Sequence, residues 1–138
     1  MTFQWPVRIY WEDTDAGGVV FYANYLKFFE RARTEWLRAC GLNQQVLRDT
    51  TGGMFVASSA QLRWLQPARL DDALRITAHL THVGRATLTL TQQALLDQPI
   101  APVLCEGSIR LAWVDAASVR PARIPDTVLA ALTASTAP

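Results

Sequence analysis

The chain has 138 residues, half of them hydrophobic and 18% charged, with a formal net charge of +1. That length holds one domain with a substantial core, and the composition excludes a disordered chain. The near-neutral charge offers no electrostatic footprint for nucleic acid, and no apolar run approaches the roughly 20 residues of a membrane-spanning helix.

Residues 7–11, VRIYW, alternate Val7, Ile9 and Trp11 with Arg8 and Tyr10, which predicts a strand; Pro6 suits its first residue or a sheet edge. The spacing of Tyr22, Tyr25, Phe29, Ala32, Trp36 and Cys40 predicts a long helix over 22–40, ended by Gly41. Arg31, Glu35 and Arg38 add opposite charges at helical spacing. A short helical turn is expected from Asn43 to Arg48, then a loop over 50–53. Period-two alternation predicts strands over 55–65, 74–81, 86–91 and 103–113, joined by short links. Val56, Ser58, Ala60, Leu62 and Trp64 are expected on one face of the first of these. The order is strand, long helix, then about four strands, an α+β domain with a helix against an antiparallel sheet. One domain is expected over 1–132, with a flexible tail over 133–138.

Cys40 and Cys105 show no CxxC spacing and read as reduced, buried thiols. A nucleophilic cysteine would want a histidine, and only His79 and His82 exist. Three apart on a strand, those two are expected on opposite faces, so no metal site is predicted. MTFQWPVR lacks the layout of a secretory leader, so a cytoplasmic location is expected.

The chemistry concentrates in residues 11–25, WEDTDAGGVVFYANY. Acids before a helix can simply cap it, and glycines can simply allow a turn. The same residues also suit catalysis. Gly17 and Gly18 strip side chains from the backbone so that a ligand can approach it. The helix start offers N–H groups to an oxyanion, a neighbouring carboxylate can attack or activate water, and Val19, Val20 and Phe21 keep the place dry. A thioester suits so small a kit, because its leaving thiol ionises near pH 8.5 and departs with little help. In an extended run Asp13 and Asp15 share a face, so the pattern alone does not separate their roles.

RIYWEDTDAGGVVFYANYLKFFERARTEWLR resembles the active-site region of the 4-hydroxybenzoyl-CoA thioesterase family of hotdog-fold proteins. Within that family it is most similar to the Tol-Pal-associated acyl-CoA thioesterase branch, the YbgC type. The likeness continues through WLQPARLDD (64–72) and RPARIP (120–125). It implies a hotdog fold, a long central helix wrapped by a five-stranded antiparallel sheet. It implies an acyl-CoA thioesterase with Asp15 as the essential carboxylate, and backbone N–H groups near Tyr22 and Ala23 as the oxyanion hole. It also implies homodimers or homotetramers with the site at the interface. Coenzyme A would enter as part of the substrate, with no separate cofactor and with acyl carrier protein as an alternative thiol carrier. Trp11, Gly17, Gly18, Val19 and Ser59 are the expected lining, and Arg85, Arg120 and Arg123 the expected partners of the nucleotide end.

The chain departs from the branch in two places, with Tyr22 where a His is usual and Trp11 where a Tyr is usual. Tyrosine, with a reference pKa of about 10, is a poor base at neutral pH. The two aromatics favour an aromatic or short acyl group. The competing readings are a non-catalytic acyl-CoA or acyl-carrier binder in an envelope complex, and a hotdog hydratase or dehydratase. The latter pairs a His with an acid, and the first 78 residues hold no His.

Overall fold

The computed structural model describes residues 2–136. The strands Phe3–Arg8 (β1), Gly53–Trp64 (β2), Ala73–Val83 (β3), Thr87–Leu96 (β4) and Val103–Asp115 (β5) form one antiparallel sheet in the order β1-β3-β4-β5-β2. The helices are Asn24–Ala39 (α1), Gln44–Thr51 (α2) and Asp126–Thr136 (α3). This is the expected α+β arrangement of a long helix against a five-stranded sheet.

The helical spacing of the apolar residues makes one face of α1 a buried stripe of Tyr25, Phe28, Phe29, Ala32, Trp36 and Leu37. It joins a single core with Val7, Ile9, Leu74, Ile76, Leu88, Leu90, Ile109 and Leu111. Each large side chain so buried stabilises the fold by about 1.5–3 kcal/mol. The helix stops where Gly41 turns left-handed at φ 84°. Gly41 N–H then bonds the Arg38 carbonyl at 2.9 Å and Leu42 N–H bonds that of Leu37 at 2.8 Å, a Schellman closure. The Asn43 side chain caps α2 by accepting from the N–H groups of Gln45 and Val46.

Several elements differ from expectation. β1 runs over Phe3–Arg8 rather than 7–11. Ile9 still bonds the 71–72 corner, but Tyr10 then turns into a 3-10 turn, Trp11–Asp13, closed by the Asp13 carboxylate. Pro6 lies on this edge strand, where its missing N–H costs no ladder bond on the open side.

A bulge at Ser58 shifts the register of β2, so Ala57 stands opposite Leu111 and Ala60 opposite Ile109. Strict alternation across 56–64 is therefore broken, and Ser58 is the extra residue. A second bulge in β3 puts His79 opposite Thr91 and His82 opposite Thr89. Both histidines then share the outer face, which corrects the expected opposition, and both are exposed. No metal-binding group of three or more His, Cys, Asp or Glu occurs among the described residues.

α3 has no counterpart in the sequence reading. It buries Val128 and Leu132 and continues as helix to Thr136, across the expected start of a tail at 133; residues 137–138 lie outside the described part. No helix among the described residues is long and apolar enough to cross a membrane.

Candidate active site

The segment between β1 and α1 is a small hairpin standing on a buried clamp. Asp13 is buried, and its carboxylate accepts from Tyr10 N–H at 2.8 Å and from the Asn24 amide at 3.4 Å. Its carbonyl accepts from Phe21 N–H at 2.9 Å and from the same Asn24 amide at 3.1 Å. Asp13 thus ties the 3-10 turn to the first residue of α1, and its carboxylate is used up in structure.

Beyond it, Thr14 bridges Val20 and Asp15 N–H bonds the Val19 carbonyl at 2.9 Å. Residues 15–18 close the tip as a β-turn, with Gly18 N–H on the Asp15 carbonyl at 3.0 Å. Asp15 is exposed there, and its Oδ1 accepts from Gly17 N–H at 2.8 Å. A Cβ on Gly17 would sit 3.2 Å from that oxygen, and Gly18 holds φ 78°. Both glycines therefore keep this carboxylate placed and uncrowded.

The hairpin returns to the body where Val20 N–H bonds the Ala68 carbonyl and Val19 bridges Arg69. α1 starts just after, without a side-chain cap, from Ala23. The N–H groups of Tyr22 and Ala23 meet no acceptor among the described residues, so they remain free donors at a helix start. Beside them lies a pocket of about 280 Å³ lined by Val19, Val20, Tyr22, Tyr25, Trp64 and Leu65, among others. Burial pushes the Tyr25 phenol up from its ordinary value, with a hydrogen bond to the Ala68 backbone opposing, so it stays neutral. Trp11 is 80% exposed and is not part of this pocket.

The other expected contacts are not gathered here. Ser59 pairs opposite the exposed Arg110 in the middle of β2, away from the Asp15 turn. Arg85, Arg120 and Arg123 cluster at the far end of the sheet. There the Arg85 carbonyl accepts from Ile124 N–H, and that of Arg120 from Asp115 N–H. Arg123 pairs with Asp126 at 3.4 Å on the surface. Asp15 instead lies at the end where β2 finishes and residues 68–72 cross, so one copy of the chain does not bring these arginines to it. A cavity of about 580 Å³ on the outer sheet face, lined by His79, Thr91, Glu106 and Ser108 among others, is likewise apart from Asp15.

Residues 9–132 match the model of the thioesterase-like superfamily, nearly the whole chain. The chain belongs to the thioesterase-like superfamily. It is 40% identical over 129 residues to the acyl-CoA thioesterase YbgC of Haemophilus influenzae, covering 94% of this chain and 93% of that one. A probable thioesterase from Bartonella henselae superposes with a TM-score of 0.84 at 30% identity, covering 91% of this chain and all of that one. A 4-hydroxybenzoyl-CoA thioesterase superposes with a TM-score of 0.88 at 18% identity, covering 95% and 98% of the two chains, which is a likeness of fold.

For a thioesterase-like chain, one residue that sequence reasoning missed is Trp64. Its indole N–H donates to the Tyr22 carbonyl at 3.0 Å, and its ring stands edge-on to Tyr22 with centroids 5.6 Å apart. Alternation placed Trp64 on a strand face, and no local signal tied it to a carbonyl 42 positions away. Asn24 was also missed as the amide that locks Asp13. Cys105 is fully buried, and burial, with the Glu106 charge adding, pushes its thiol up to about 12, so it is no nucleophile.

Proposed function

We propose that this chain is an acyl-CoA thioesterase that hydrolyses the acyl–sulfur bond to a free acid and coenzyme A. The observation that carries the reading is the pair of free N–H groups at Tyr22 and Ala23, at the end of a hairpin whose tip holds an exposed Asp15 carboxylate. The donors take the charge that develops on the thioester oxygen. Asp15 acts in one of two balanced ways. It attacks the carbonyl, expels the thiolate and leaves a mixed anhydride that water cleaves. Alternatively, it takes a proton from water, whose oxygen attacks, and the departing thiolate recovers a proton. The apolar wall of Val19, Val20, Tyr22 and Trp64 suits an aromatic or short acyl group.

The active unit is at least a dimer. β2 is an edge strand of 12 residues with no charge from Gly53 to Leu62, and residues 57–61 are exposed. Such an edge invites pairing with another strand. Two copies paired antiparallel about Ser58 and Ser59, the middle of the strand, would set the start of one β2 beside the end of the other. Arg120 lies by that start, since Ala116 N–H bonds the Gly52 carbonyl at 2.8 Å. A second copy therefore supplies Arg85, Arg120 and Arg123 for the phosphates of coenzyme A, beside the first copy's Trp64 and Tyr22.

The test is free-thiol release from benzoyl-, short-chain and long-chain acyl-CoA, with acyl carrier protein thioesters as a second arm. Asp15→Asn keeps the shape and removes the charge. Turnover by the wild type that falls by at least about a hundredfold in the variant is the expected result. No turnover on any thioester, or turnover indifferent to the substitution, overturns the reading.

A further inference from the structure

The first turn of α1 does not begin on the ordinary i→i−4 ladder. Asn24 N–H bonds the Phe21 carbonyl at 2.8 Å and Leu26 N–H bonds the Ala23 carbonyl at 3.1 Å, both three residues back. The Tyr22 carbonyl between them receives no backbone N–H among the described residues. It receives the indole N–H of Trp64 instead, at 3.0 Å. That carbonyl and the Ala23 N–H are the two ends of one planar peptide group. A donor on the oxygen fixes the plane in which the N–H points. It also polarises the group, which makes the N–H a stronger donor in its turn.

Trp64 is well placed to hold that peptide still. It is the last residue of β2, opposite Cys105, and the next N–H, that of Leu65, bonds the Leu104 carbonyl at 2.8 Å. Its ring meets the Tyr22 ring edge-on, at an interplanar angle of 77°. The sheet therefore reaches across to the helix start through one side chain.

We propose that Trp64 is a positioning residue for thioester hydrolysis: through its indole N–H it aims and polarises the Tyr22–Ala23 peptide, whose own N–H receives the oxyanion. This rests on the oxyanion role proposed above for that peptide, and adds the side chain that orients it. The oxyanion charge exists only on the way through the tetrahedral state, so the contribution falls on kcat and not on KM. A role as a mere wall of the acyl pocket would depend on the shape of the ring and not on its N–H.

The experiment compares Trp64→Phe with a variant carrying 3-benzothienylalanine at position 64, which keeps the bicyclic shape and replaces N–H by sulfur. Both are assayed for thiol release beside the wild type and Asp15→Asn, with Tm measured for each. The expected result is a fall in kcat of about tenfold in both, with KM within about twofold and an unchanged Tm for the benzothienyl variant. Wild-type kcat in the benzothienyl variant overturns the proposal, as does a loss confined to KM. If the wild type turns over and Asp15→Asn does not, such a result overturns the role of Trp64 alone. A wild type inert on every thioester overturns both readings together.

Discussion

Asp13 and Asp15 stand two positions apart in sequence, and burial gives them different surroundings. Asp13 is enclosed and spends its carboxylate on Tyr10 and Asn24, whereas Asp15 is exposed on a turn that Gly17 and Gly18 keep open. The same distinction separates a cysteine of structure from a cysteine of chemistry. Cys105 holds its proton up to about 12, against an ordinary 9.0. Below about pH 9 the thiol is protonated in both folded and unfolded chains. Between there and 12 the unfolded thiol ionises while the folded one does not, so stability falls as pH rises through that window. Urea unfolding from pH 8 to 10 is expected to show that decline, and Cys105→Ala to show a shallower one from a lower starting stability. Equal slopes in the two proteins would count against the buried thiol as the cause.

At the scale of elements, the helix is fastened to the sheet by polar bonds as well as by its apolar stripe. Gln92 on β4 is fully buried. It accepts from Arg33 at 3.0 Å and donates to the carbonyls of Phe29 and Thr77 at 3.0 and 3.1 Å. Burial pulls the Arg33 guanidinium below its usual value, with Glu30 opposing. Gln92→Leu removes the acceptor and strands a buried cation, at an expected cost of about 2–4 kcal/mol in urea unfolding. Adding Arg33→Met is expected to recover part of it, because the stranded charge is then gone. A strictly additive double variant would contradict that coupling. The sequence showed α1 clearly, since its apolar spacing and Gly41 are local signals. It did not show this tie, because Gln92 is an ordinary strand residue until Arg33 arrives from 59 positions away.

For the whole molecule, the question is how the arginines at the far end of the sheet could reach the proposed site at Asp15. The pairing of β2 with a second copy proposed above would answer it, and it can be broken without touching the hairpin. Ser59→Lys places a charge in the middle of the edge. The expected outcome is a monomer by sedimentation with thiol release reduced at least about tenfold, while Asp15 and the Tyr22–Ala23 peptide stay in place. A Ser59→Lys protein that sediments as a monomer yet keeps wild-type turnover would show that a single chain carries a complete site.

Some of this was legible in the chain itself. The acids, the glycine pair and the apolar run of 12–21 mark a turn before a helix as the candidate site, because each depends on neighbours in sequence. Period and spacing gave the strands and α1 for the same reason. Other features depend on atoms that folding alone brings together. The bulges at Ser58 and beyond Leu80 decide which residues face outward, and a one-residue slip inverts a strand's faces without any mark in composition. β1 gave up Tyr10 and Trp11 because Asp13 closes a turn on them. α3 escaped notice because its Ala- and Thr-rich sequence has little periodicity; it takes its place by burying Val128 and Leu132 in the common core. The contrast in burial between Asp13 and Asp15, and the bond from Trp64 to Tyr22, belong to the tertiary structure. They are set by burial and by contacts between distant segments, which no local pattern encodes.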